Sequence, residues 1–145
     1  MRRRYLIGGQ LDSVMNYPFK EAILNYVKYA DAKAFTDSIM TILDHYPKPA
    51  IDMLMNFLST HDTERALTVI ADEPANGRGR EWQSGRCVTG EAYEEGMLRL
   101  RMAYAIIYTL PGVPCLYYGD EIGMQGYRDP FNRCLLYTSP SPRDA

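Results

Sequence analysis

Apolar positions along the chain fall into segments of two periods, separated by polar punctuation. Leu11 to Tyr17 (LDSVMNY) reads as a short strand, and Pro18 follows where the first turn of a helix tolerates a missing N–H. Phe19, Ile23, Tyr26 and Val27 then recur at helical spacing, which predicts a helix over Phe19 to Tyr29. Phe35, Ile39, Ile42, Leu43 and Tyr46 repeat that pattern until Pro47 and Pro49 stop it. Met55 to Thr60 (MNFLST) is strand-like again and delivers His61, Asp62, Thr63, Glu64 and Arg65 at its C-terminal end. Ala71 to Gly90 holds one Pro and four Gly among polar residues and reads as a long surface loop. Thr89 suits the N-cap of a further helix, in which Leu98, Met102, Ala105 and Ile106 form the expected buried face, and Pro111 and Gly112 end it. Cys115 to Tyr118 (CLYY), between Pro114 and Gly119, has the form of a short strand buried on both faces, as parallel strands are.

Strands that alternate with helices, with charge gathered where a strand stops, predict parallel βα units in an α/β fold. A site is then expected at the carboxyl ends of the strands. The pattern alone leaves a doubly wound sheet and a piece of a barrel both open, since each binds ligands on that side.

Composition narrows the function classes. At 145 residues the chain is about one domain long, and 46% hydrophobic with 23% charged residues is enough apolar material to build a core. Sixteen Lys and Arg against 18 Asp and Glu leave a net charge of -2, so neither nucleic acid nor an anionic membrane is an expected partner. No apolar run approaches the roughly 18 residues of a membrane span. Arg2, Arg3 and Arg4 resemble the start of a signal peptide, but Gly8, Gly9, Gln10 and Asp12 stand where its apolar region would be, so a cytoplasmic location is expected. Cys87, Cys115 and Cys134 form no C-x-x-C pair, and His45 and His61 are too isolated for a metal site, so neither disulfides, metal nor cofactor are expected.

Three segments in fixed order carry a resemblance: LDSVMNYPF at Leu11 to Phe19, NFLSTHDTER at Asn56 to Arg65, and LPGVPCLYYGDEIGMQGYRDPFNR at Leu110 to Arg133. Together they resemble the alpha-amylase superfamily of retaining alpha-glucan enzymes, in its neopullulanase and cyclomaltodextrinase-like branch. The resemblance implies a TIM (β/α)8 barrel of which residues 5–133 would be the last three βα units, the sixth to eighth strands with their loops. It also implies an alpha-glucan oligosaccharide as substrate. A full barrel needs about 250 residues. The family's nucleophilic Asp and acid Glu would precede Tyr5, so the chain itself is expected to be inactive.

Within that family pattern, Asp62 corresponds to the carboxylate that stabilises the transition state, and His61 to a ligand of the same sugar. Asp129, Asn132 and Arg133 would line outer glucose subsites, where a carboxylate and a guanidinium suit sugar hydroxyls as acceptor and donor. Read without the family, Asp62 or Thr63 equally suits the N-cap of a helix beginning at Glu64, and Asp129–Pro130 an ordinary turn. Asp120 and Glu121 are expected to support the barrel mouth, and Trp82 to anchor its loop or stack on a sugar. Cys134 to Ala145 (CLLYTSPSPRDA) looks like a translated sequencing adapter and is set aside from the fold. A glucan transferase or a non-catalytic barrel of the same superfamily would share these segments; oligomeric state is not legible.

Overall fold

The computed structural model describes Leu6 and residues 9–134. The adapter-like residues 135–145 lie outside this range. The described residues form two compact units, divided after Phe57, Arg101 and Cys115: those up to Phe57 with Met102–Cys115, and Leu58–Arg101 with those from Leu116 on.

In the first unit, helix α1 (Tyr17–Tyr29) has Asn16 as its N-cap, whose side chain accepts from the Phe19 amide, with Pro18 in its first turn. This start shortens the expected strand: only Met15 makes a parallel bridge, to Met55, and Leu11 is exposed. Helix α1 takes over at Tyr17, so the ladder stops at Asn16, whose amide still donates to Met55 O at 2.9 Å while its side chain caps the helix. Helix α2 (Ala32–His45) is capped by Asp31, which accepts from the Ala34 amide. Pro47 then both blocks α2 and serves as N-cap of a short helix, α3 (Lys48–Asp52).

Strand β1 (Met55–Phe57) pairs in parallel with β2 (Val113–Cys115), in the register Met55 to Val113 and Phe57 to Cys115. With the Met15 bridge on its other side, β1 is the centre of three parallel segments. The buried Asn56 side chain ties the three together. Its Oδ1 accepts from Asn16 Nδ2 at 2.8 Å and its Nδ2 donates to Pro111 O at 2.9 Å. Phe19, Ile23 and Val27 of α1 are buried, Tyr17 meets Phe57 edge to face at 4.9 Å, and Leu6, Ala50 and Leu54 form an adjoining cluster with Val14, Ile42 and Tyr46.

The second unit contains α4 (Ala66–Ala71) and α5 (Arg80–Ser84), the latter inside the stretch expected to be loop, while α6 (Gly90–Thr109) enters it as far as Arg101. The buried side of α6 is Gly96, Leu100, Ala103 and Ile107, and the expected face is open, with Leu98 63% exposed. Gly96 explains the choice within this unit: a Cβ there would sit 2.7 Å from Ala71 Cβ, so the missing side chain lets α6 lie against α4. The expected strand Cys115 to Tyr118 is also corrected. It ends at Cys115 and is only partly buried, because the chain turns at Tyr117 and Tyr118 to meet Arg65.

Candidate functional site

Of the five side chains expected to bind or transform a ligand, all in the second unit, the fold brings four together in the open: His61, Asp62, Asp129 and Arg133. His61 Nε2 is 3.2 Å from Asp62 Oδ2, and Arg133 Nη2 is 3.9 Å from Asp62 Oδ1. Arg133 Nε lies 2.8 Å from Asp129 Oδ1 and donates to His61 O at 3.3 Å. These side chains are 47 to 63% exposed, so their polar atoms are open to a ligand. Exposed pairs of this kind contribute on the order of 0–1 kcal/mol and cannot by themselves fix the loops that carry them.

The fixing is done underneath. Thr60 and Thr63 lock their loop reciprocally: the Thr60 amide donates to Thr63 Oγ1 at 3.1 Å and the Thr63 amide to Thr60 O at 3.4 Å, while the Asp62 amide donates to Thr60 Oγ1 at 3.2 Å. Helix α4 begins only at Ala66, whose amide donates to Ser59 Oγ at 2.7 Å. The capping alternative is therefore excluded: Arg65 occupies the N-cap position without a side-chain cap, and the Asp62 carboxylate is left for other partners.

Asn132 is a correction. Rather than facing an outer subsite, it is fully buried, and its Nδ2 donates to the carbonyls of Thr60 at 3.1 Å, His61 at 2.9 Å and Thr63 at 2.8 Å. Its own carbonyl accepts from Arg65 Nε at 3.0 Å. Arg65, also fully buried, pairs with Asp120 Oδ1 at 3.0 Å, donates to the Tyr118 carbonyl, and lies over the Tyr117 and Tyr118 rings at 4.3 and 4.6 Å. Asp120 thus supports the loop after β2. Arg65 stands within the NFLSTHDTER motif, yet nothing local in that motif announces a partner 55 residues away.

Beside this, Trp82 of α5 packs edge-on against Tyr127 at 5.1 Å with Arg78 and Arg86 over its ring, which anchors the 71–90 stretch. Burial and the neighbouring Asp72 carboxylate push the Tyr127 hydroxyl up to about 12. Burial alone would raise Asp72, but hydrogen bonds from Arg86 and the Glu73 amide, with the Tyr127 hydroxyl close by, outweigh it and hold the carboxyl below its ordinary value. In the first unit a cleft of about 840 Å³ runs along Ala22, Tyr26, Phe35 and Ile42 and contains none of the five expected site residues. Among the described residues no three His, Cys, Asp or Glu side chains converge as metal ligands, and no helix is long and apolar enough to cross a membrane.

Parallel strands alternating with helices, with polar side chains in the segments that follow β1 and β2, are the layout of an α/β ligand-binding domain. The chain belongs to the alpha-amylase family: residues 1–139 match the alpha amylase catalytic domain. It is 33% identical to the cyclomaltodextrinase of Geobacillus thermopakistaniensis (strain MAS1) over 136 residues, 92% of this chain and 19% of that protein. It is 35% identical to neopullulanase 2 of Thermoactinomyces vulgaris over 128 residues, 87% of this chain and 18% of that one. The ligand-free cyclic alpha-maltosyl-(1→6)-maltose hydrolase from Arthrobacter globiformis superposes with a TM-score of 0.68 at 30% identity, covering 90% of this chain and 25% of that one. The chain therefore spans about a fifth of the length of the curated relatives it matches.

Proposed function

We propose that this chain is the part of a retaining alpha-glucan hydrolase that comprises the sixth to eighth βα units of its TIM barrel, with residues 5–133 as the native segment. Asp62 stabilises the oxocarbenium-like transition state through the sugar's hydroxyls, His61 binds the same sugar, and Asp129 and Arg133 hold a neighbouring glucose unit. Retaining hydrolysis needs a nucleophilic carboxylate and an acid/base carboxyl about 5 to 5.5 Å apart. Neither role falls to the exposed quartet, so the chain alone supplies substrate contacts and charge stabilisation. The substrate is an alpha-glucan oligosaccharide, such as a maltooligosaccharide, a cyclodextrin or pullulan.

The observation that supports this reading most is the convergence of His61, Asp62, Asp129 and Arg133 in one open polar cluster, although 72 residues separate His61 from Arg133. Hydroxyl-rich ligands suit such a set, which offers carboxylate acceptors and guanidinium and imidazole donors side by side. The test is reducing-sugar release from maltoheptaose by the full-length protein that carries this segment, beside its Asp62→Asn variant. The full-length protein is expected to hydrolyse with retention of configuration, and the variant to lose about 10²–10³-fold in kcat, as loss of a transition-state contact does. An equally active variant refutes the role of Asp62, and longer oligosaccharide products in place of hydrolysis would make the protein a transferase.

A further inference from the structure

We infer that Asn132 is a positioning residue that sets where Asp62 and His61 stand relative to Arg133, an inference that rests on the catalytic reading above. Its single amide group reaches the carbonyls of Thr60, His61 and Thr63, which flank Asp62 on both sides. Any shift of that backbone moves the Asp62 carboxylate with it. The next residue is Arg133, which donates to the same His61 carbonyl and faces Asp62. One buried side chain thus joins the loop that carries two site residues to the turn that carries a third. Behind it, Arg65 holds the Asn132 carbonyl and is itself held by Asp120. The exposed ion pairs of the quartet are too weak to fix this geometry, while a displacement of about 1 Å at a catalytic group can cost on the order of 100-fold in rate.

The competing possibility is that Asn132 only satisfies buried carbonyls and contributes stability. A double-mutant cycle separates the two. In the full-length protein, kcat on maltoheptaose is measured for Asn132→Ala, and for Asn132→Ser as the variant that keeps one donor, each alone and combined with Asp62→Asn. Thermal midpoints are recorded alongside. Acting through Asp62, Asn132→Ala should lower kcat by about 10- to 100-fold with a smaller change in KM, lose most of that effect in the Asp62→Asn background, and be partly rescued by Ser. The same loss in both backgrounds, an unchanged kcat, or failure of both Asn132 variants to fold would overturn the inference while leaving the catalytic reading standing. A fully active Asp62→Asn single variant would overturn both.

Discussion

Arg65 Nη1 donates to Asp120 Oδ1 at 3.0 Å, and neither side chain reaches solvent. Removing one member of a buried pair leaves the other charge uncompensated in a poor dielectric, which costs about 3–5 kcal/mol. Asp120→Asn in the full-length protein is therefore expected to lower unfolding stability by that amount, read from urea midpoints. Arg65→Met combined with Asp120→Leu should recover much of it, since no charge is then buried. A loss below about 1 kcal/mol in the Asn variant would show that the pair is not what holds the loop after β2.

Gly112 has φ 119°, and a Cβ built on it would lie 2.7 Å from both Leu54 O and Asn56 Nδ2. It stands directly before β2, where Val113 N donates to Leu54 O at 2.8 Å and Asn56 reaches the Pro111 carbonyl. Gly112→Ala combines left-handed backbone strain of about 1–3 kcal/mol with a clash against backbone that cannot rotate away. The expected result is a thermal midpoint lowered by several degrees. An unchanged midpoint would mean that the turn into β2 can be rebuilt around a side chain.

What the sequence made legible follows from the range of the interactions. The helix that follows Pro18, the end of α2 at Pro47 and the start of the strand at Met55 are local chemistry, visible within a few residues, whereas the N-caps are not: Asn16 reads as strand until its side chain meets the Phe19 amide. The quartet His61, Asp62, Asp129 and Arg133 was named only because family motifs carried it; spacing alone favoured an N-cap at Asp62. The face of α6 was misread because Leu98 and Met102 outweigh Gly96 and Ala103 in any apolar pattern. Close packing at α4 instead selects the residue with no side chain. Asn132 was misassigned to a sugar for the opposite reason. A polar residue between two site residues gives no local sign that three carbonyls 69 to 72 positions away will bury it.

Tyr127 gives a pH dependence with a definite sign. Its hydroxyl donates to Glu73 O at 2.6 Å, and burial together with Asp72 moves its pKa from 10.0 up to about 12, against the opposing pull of Arg86. Between about pH 10 and 12 the unfolded chain has released this proton while the folded chain keeps it. The folded state then binds more protons, so the contribution of Tyr127 is fully present below pH 10 and is lost as the pH rises towards 12. Tyr127→Phe has no proton to release and also lacks the hydrogen bond, about 1 kcal/mol, so it should start less stable at pH 8 and converge on the parent by pH 11.5. Tyr93 and Tyr117, both raised first by burial, titrate in both proteins and cancel in the comparison. The measurement is the difference in urea midpoint between parent and variant in the full-length protein at pH 8, 10 and 11.5. A constant difference across that range would show that Tyr127 titrates alike in the folded and unfolded chains, and that the Asp72 carboxylate does not act on it.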